Sequence, residues 1–187
     1  YINKDKRICF RKTFKKNILN KLSKVLFKEI LKNCKNLHIK PTKILIDQSH
    51  SDILLYNQGG LFTPHRDTVL SYPNCIPRHE IKYWEMYSMI IGLDSNIINL
   101  GDSNDGNTTV YLPSPAYLTH KIFKNFRKKL IPHDFIESCL KGNYVIFPAT
   151  ALHSSNKISN KGDYKLALKL DLWLRLPCII NDSQNNY

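Results

Sequence analysis

Residues 56–68, YNQGGLFTPHRDT, decide how the rest of the sequence is interpreted. Behind a Gly59-Gly60 turn, this stretch places His65 and Asp67 two residues apart. In an extended chain, residues i and i+2 point to the same side, so the imidazole and the carboxylate converge on one point. Two such groups are two of the three ligands in the 2-His-1-carboxylate arrangement that holds non-haem Fe(II). A third ligand must come from a distant part of the chain.

The candidate for this third ligand is His153, in the segment ALHSSN, just after a predicted strand at 143–147. A further strand is predicted at 164–174, with leucines on one face and Lys165 and Lys169 on the other. Burying a lysine is costly unless an anion meets it. Two imidazoles and a carboxylate leave open positions on a metal for a bidentate 2-oxo acid. The far carboxylate of that acid needs a cation, and we expect Lys165, or its rival Lys169, to supply it.

Composition is typical of one globular domain with a real core. The chain has 187 residues, of which 42% are hydrophobic. We expect no membrane span and no signal peptide, because no apolar run reaches about 18 residues and the first residues are charged. The five cysteines are scattered and form no CxxC pair, which argues against a disulfide framework or a zinc ribbon. A reducing compartment such as the cytoplasm is the simpler expectation.

The net charge of +13 belongs mainly to the N-terminal part of the chain. Residues 1–36 carry 12 Lys/Arg and 2 Asp/Glu, whereas residues 37–187 carry 16 and 13. A basic arm can bind nucleic acid or an acidic partner. A solvated, lysine-rich helix face explains the same charge without any partner.

The periodicity predicts a helix over 11–34, followed by short strands. The apolar face of the helix carries Leu19, Leu22, Leu26 and Ile30, joined by Ile18 and Val25. Strands are predicted at 43–47, 52–57, 61–66, 82–93, 108–112, 143–147 and 164–174, and a short helix at 114–129. We therefore expect an α+β, mainly β, sandwich or barrel with the helix packed on one sheet. The expected divisions are a basic helical arm (1–36), a catalytic domain (37–176) and a polar tail (177–187).

Four motifs in order give the sequence a family resemblance. They are Tyr56-x-x-Gly-Gly-x-Phe-x-Pro-His65-x-Asp67, the segment GNTTVY at 106–111, the segment KGNYVIF at 141–147, and Gly162 followed by Lys165 on an apolar strand. Together they resemble the prolyl 4-hydroxylase-like Fe(II)/2-oxoglutarate-dependent dioxygenases over roughly residues 50–175. The resemblance implies a double-stranded β-helix, or jelly roll, which agrees with the predicted strands.

The resemblance also implies roles for single residues. His65, Asp67 and His153 would ligate Fe(II), and Lys165 would bind the C5 carboxylate of 2-oxoglutarate. Tyr56 would donate its hydroxyl group to the same co-substrate. Ser88 and Thr109 align with positions that line the pocket. The implied chemistry is hydroxylation with O2, release of succinate and CO2, and ascorbate as a candidate reductant.

The chain departs from the family pattern at three places. Lys165 lies three residues after Gly162, where the family usually has two, which keeps Lys169 open as the anchor. Asn107 replaces the second glycine of a Gly-Gly-x-Thr motif. The insert at 70–82 is peculiar to this chain, and such loops often cover substrate.

The substrate is expected to be a protein or peptide side chain, with proline implied by the resemblance. One alternative is a nucleic-acid demethylase, which the basic arm suggests. No arginine lies between His153 and Arg175, however, and demethylases of this kind carry arginines there. A small-molecule hydroxylase and a jelly-roll binding module without catalysis also stay open. No feature of the sequence indicates an oligomeric state.

Overall fold

The computed structural model describes residues 7–13, 16–36, 41–67, 72–97, 105–113, 130–135 and 141–177. This part of the chain holds one α-helix, one 3-10 helix (Arg78–Tyr83) and ten strands. The α-helix, α1, spans Lys16–Asn36. The strands are β1 (Arg7–Ile8), β2 (Phe10–Thr13), β3 (Lys43–Asn57), β4 (Leu61–His65), β5 (Trp84–Ser95), β6 (Thr108–Pro113), β7 (Leu130–Phe135), β8 (Tyr144–Pro148), β9 (Leu152–Ser155) and β10 (Tyr164–Arg175).

The strands form two five-stranded antiparallel sheets. One sheet, the minor sheet, has the order β1-β4-β9-β6-β7, and the other, the major sheet, has the order β2-β3-β10-β5-β8. Neighbours in each sheet are mostly distant in sequence, so the chain passes repeatedly from one sheet to the other. This arrangement confirms the predicted jelly roll, a mainly β fold with one α-helix among the described residues.

The leucine face of β10 forms the largest apolar cluster. Leu168, Leu170 and Leu172 are buried there together with Ile30 of α1. Leu22 and Leu26 of the same helix pack against this cluster. Strict alternation along β10 places these leucines on one side, and the periodicity of α1 supplies the matching stripe. The helix therefore covers the outer face of the major sheet, as its apolar face predicts.

The opposite face of β10 points between the sheets. Ala167 packs there with Ile90, Val110, Val145 and Phe147, which come from strands of both sheets. Lys165 and Asp171 share this inner face and are each 1% exposed. The space between the sheets therefore contains charged groups as well as an apolar core.

The structure corrects several predicted boundaries. Residues 11–13 lie in β2 and not in the helix, because they pair with β3 at the edge of the major sheet. The predicted strands 43–47 and 52–57 are one strand, β3. Ile18 and Val25, placed on the buried helix face, are 44% and 67% exposed. The predicted helix at 114–129 lies outside the described residues.

Among the described residues, no helix has both the length and the apolar character that a membrane span needs.

Candidate metal centre

The fold brings His65, Asp67 and His153 together. Strands β4 and β9 are neighbours in the minor sheet, and His65 lies directly opposite His153 in their register. Asp67 follows β4 by two residues, and its backbone N–H donates to the carbonyl of Ala149 at 3.0 Å. One ligand atom from each of the three residues lies within 4.8 Å of the others. The three groups therefore face one small volume, as the i, i+2 spacing of His65 and Asp67 predicts.

The hydrogen bonds of the two imidazoles determine which nitrogen faces this volume. His65 Nδ1 lies 2.9 Å from the carbonyl oxygen of Thr63, and His153 Nδ1 lies 3.0 Å from that of Ala151. A carbonyl oxygen only accepts, so each Nδ1 carries the proton and donates it. Both Nε2 atoms then face Asp67, at 3.6 Å from its carboxylate oxygens. This donor set fits a divalent metal such as Fe(II).

The electrostatics of the site keep its ligands in metal-binding form. Burial lowers the pKa of the His153 imidazole to about 4, so this ring is neutral at pH 7. Burial raises the pKa of Asp67, but contact with His65 and the positive charge of Lys169 outweigh this effect. The pKa of Asp67 therefore lies well below its ordinary value. A neutral imidazole and an ionised carboxylate are the forms that coordinate metal.

Asp67 is also bound from the major sheet. Ser88 Oγ donates to Asp67 Oδ2 at 2.5 Å, and Lys169 Nζ lies 3.6 Å from the same oxygen. Lys169 Nζ also lies 2.5 Å from Asp171 Oδ1. Residues of β5 and β10 thus surround the carboxylate that the end of β4 presents.

A cavity adjoins the three ligands and extends between the sheets. Its empty volume is about 420 Å³, including the open mouth. His65 and His153 line it, but Asp67 is not among its lining residues. The remaining lining residues are Leu54, Tyr56, Phe62, Ile90, Thr108, Ser154, Ser155, Lys165, Ala167 and Lys169.

Lys165 and Tyr56 lie together in this cavity. They are direct partners in the register of β3 and β10, and both are almost fully buried. Lys165 Nζ donates to the carbonyl of Gly106 at 2.6 Å and lies 5.8 Å from the centroid of the Tyr56 ring. Lys165 therefore presents a cation beside an aromatic ring, whereas Lys169 lies next to Asp67.

Two of the predicted pocket residues have other positions. Thr109 does not line the cavity, because its hydroxyl group donates to Asn156 Oδ1 at 2.9 Å. Its neighbour Thr108 lines the cavity instead, since alternation along β6 sends adjacent side chains to opposite faces. Ser88 is fully buried but contacts Asp67 and not the cavity. Asn107, at the second glycine position, is also fully buried.

Two residues near the site, Asp171 and Phe62, have no role in the sequence-based expectations. Asp171 shares the inner face of β10 with Lys169, which was visible from alternation, but its contacts depend on the register of β5. The ring centroid of Phe62 lies 3.4 Å from that of His65. A spacing of three residues places two side chains on opposite faces of a regular strand, so this contact depends on the irregular pairing between Phe62 and His65 and was not predictable from the sequence.

The insert at 70–82 packs away from the cavity in its described part. Ile76 forms a cluster with Trp84 and Trp173, and Tyr72 stacks on Trp173 with ring centroids 5.0 Å apart. Within residues 72–82, none lines the cavity. The apolar residues of this segment are accounted for by packing at the end of β10.

Comparison with known proteins gives matches in structure and none in sequence. No protein-family model matches the chain, and no curated protein sequence does so. A prolyl-4-hydroxylase of Pseudomonas putida aligns over 91% of this chain and 73% of its own, at 13% identity and a TM-score of 0.50.

Two further structural matches are weaker. A viral collagen prolyl hydroxylase of Paramecium bursaria Chlorella virus-1, solved as a 2-oxoglutarate complex, aligns over 89% of this chain and 79% of its own, at 16% identity and a TM-score of 0.44. SnoN of nogalamycin biosynthesis, a non-haem α-ketoglutarate-dependent epimerase, aligns over 70% of this chain and 49% of its own, at 13% identity and a TM-score of 0.41. From its own strands and from the Pseudomonas match, the chain has a jelly-roll fold like that of the Pseudomonas putida prolyl-4-hydroxylase.

Proposed function

We propose that the chain is an Fe(II)- and 2-oxoglutarate-dependent dioxygenase that hydroxylates a protein side chain. The observation that carries this proposal is the convergence of His65, Asp67 and His153 beside a cavity that contains a buried lysine. Fe(II) held by these residues would activate O2. In the overall reaction, 2-oxoglutarate, O2 and a C–H bond are converted to succinate, CO2 and a C–OH group. The two electrons beyond those of the C–H bond come from 2-oxoglutarate.

The protein residues prepare this site before any ligand binds. The carbonyls of Thr63 and Ala151 hold the Nδ1 atoms of His65 and His153, so neither ring has to rotate to present its Nε2 atom to a metal. Asp67 is ionised and oriented by Ser88. Such preorganisation favours metal binding and keeps the metal beside the cavity.

Lys165 is the preferred anchor for the C5 carboxylate of 2-oxoglutarate. It lies in the cavity, and its ammonium group contacts the carbonyl oxygen of Gly106 and lies beside the Tyr56 ring. Lys169 is engaged by Asp171 at 2.5 Å. A carboxylate entering the cavity therefore gains a partner at Lys165, with Tyr56 beside it.

The proposed substrate class is based on the structural match and not on the geometry of the site. The Pseudomonas putida protein with the same fold is a prolyl-4-hydroxylase, and on this ground we assign a peptidyl proline to this chain. A mass-spectrometric screen of proline-containing peptides for a gain of one oxygen tests this assignment. If oxygen were gained only on other residues, or only on small molecules, the assignment of proline as the substrate would be wrong, but the proposed iron chemistry would stand.

The test of the function itself is the release of succinate. We expect succinate only when Fe(II), 2-oxoglutarate and O2 are all present, and we expect His65→Ala to abolish it. His79→Ala is the matched control, because His79 is exposed and does not line the cavity. Binding of Mn(II) to the wild type but not to His65→Ala, measured by isothermal titration, would place the loss at the metal site. Full turnover by His65→Ala would refute the proposal.

A further inference from the structure

The pair Lys169–Asp171 lies beside the metal ligands and has no role in the chemistry described so far. The Nζ–Oδ1 distance is 2.5 Å, and the two side chains are 13% and 2% exposed. Removing two charges from water is costly, and a buried ion pair is often no more stable than apolar residues of the same size. Stability is therefore a poor explanation for this pair, and its position next to Asp67 is a better one.

Neighbouring strands fix Asp171 in place. Across β5 and β10, Asp171 is the register partner of Ser88, whose hydroxyl oxygen lies 3.5 Å from Asp171 Oδ1. On the other side, the pairing with β3 is irregular between Lys169 and Asp171, and Ser51 Oγ accepts the backbone N–H of Asp171 at 3.3 Å. Irregular pairing of this kind re-aims side chains beside a site. Asp171 is thus held at the ammonium group of Lys169.

Both Lys169 and Ser88 face the same oxygen of Asp67. The hydroxyl group of Ser88 has one proton, and this proton goes to Asp67 Oδ2 at 2.5 Å and not to Asp171 at 3.5 Å. Lys169 Nζ lies 3.6 Å from Asp67 Oδ2 but 2.5 Å from Asp171. Asp171 therefore holds the stronger contact with the lysine, and Asp67 keeps lone pairs for another partner.

We propose that Asp171 pairs with Lys169 and neutralises its charge, so that the carboxylate of Asp67 stays available to the metal, with Asp171 acting as a positioning residue. This inference rests on the metal-binding part of the proposed function. Without Asp171, the ammonium group would pair with Asp67 itself, compete for its lone pairs and repel the incoming cation. With Asp171 present, Lys169 contributes a nearby donor without adding net charge to the site.

The proposal predicts different effects of removing each partner. For Mn(II) binding measured by isothermal titration, Asp171→Asn weakens the affinity by about tenfold or more, as expected for an outer-shell partner. Lys169→Met leaves the affinity within about threefold of the wild type or tightens it. The double variant Lys169→Met/Asp171→Asn regains an affinity within about threefold of the wild type, because the unbalanced lysine is gone. A merely structural pair would weaken binding in all three variants.

Two controls make the result decisive. Lys161→Met removes an exposed lysine near β10, and we expect the wild-type affinity. Circular dichroism and thermal unfolding identify any variant that does not fold. If a single variant does not fold, the Mn(II) affinity of the Lys169→Met/Asp171→Asn variant is compared with that of the wild type. Wild-type affinity in Asp171→Asn, or a double variant as weak as Asp171→Asn, would overturn the proposal. Equal Mn(II) binding by the wild type and His65→Ala would instead show that the metal site is wrong.

Discussion

At the residue scale, two lysines four positions apart on β10 have different surroundings. Lys165 contacts a carbonyl oxygen and lies beside Tyr56, whereas Lys169 contacts Asp171 and lies near Asp67. Their spacing places both on the inner face, so alternation alone did not distinguish them. The difference comes from what the neighbouring strands place opposite each lysine. It supports Lys165 as the anchor and assigns Lys169 to the metal site.

Lys165→Met tests this assignment. Methionine fills similar space but has no charge, and a hydrogen bond to a charged group contributes about 1.5–3 kcal/mol. We therefore expect the affinity for 2-oxoglutarate to fall by about 10- to 100-fold. Isothermal titration of 2-oxoglutarate into the Mn(II)-loaded protein measures this effect without turnover.

The affinity of Lys165→Met for Mn(II) is the internal control, and we expect it to equal that of the wild type. Lys169→Met, titrated with 2-oxoglutarate in the same way, is the competing anchor. A larger loss of 2-oxoglutarate affinity in Lys169→Met than in Lys165→Met would reverse the assignment.

At the scale of elements, β10 and α1 were predictable and β9 was not. Four leucines at period two and an apolar helix stripe are strong local signals, and they indicated which faces are buried. Strand β9 has four residues, Leu152–Ser155, and its segment is rich in serine, which is typical of a loop. No strand is therefore predicted at His153, which nevertheless lies in a strand paired with both β4 and β6. This segment is a strand because it pairs with distant strands, which local propensity did not indicate.

The packing of α1 predicts how substitutions in this helix change the free energy of unfolding. Ile30 is 1% exposed within the leucine cluster, so Ile30→Ala leaves a cavity and lowers the free energy of unfolding by about 2–5 kcal/mol. Val25→Ala is the matched control, because Val25 is 67% exposed and its change stays within about 0.5 kcal/mol. Urea unfolding followed by circular dichroism measures both. Equal effects in the two variants would contradict the packing of α1 on the major sheet.

At the scale of the whole molecule, the site ties the stability of the metal-free protein to pH. Folding lowers the pKa of His153 from about 6.5 to about 4, because burial disfavours the charged ring. Between these values, the unfolded chain binds a proton at this residue that the folded protein does not. The free energy of unfolding therefore falls as the pH falls from about 6.5 to about 4. Asp67 adds a loss of the same sign at lower pH, since folding also lowers its pKa.

This pH dependence can be measured on the apoprotein. A shift from about 6.5 to about 4 corresponds to a contribution on the order of 3 kcal/mol across the window. His153→Gln cannot take up that proton, so its free energy of unfolding changes less between pH 7 and pH 4.5 than that of the wild type. His79→Gln, at an exposed histidine, keeps the wild-type slope. Urea unfolding at several pH values in the presence of a chelator gives the three slopes. Parallel curves for wild type and His153→Gln would mean that the imidazole is not desolvated as the two-sheet packing requires.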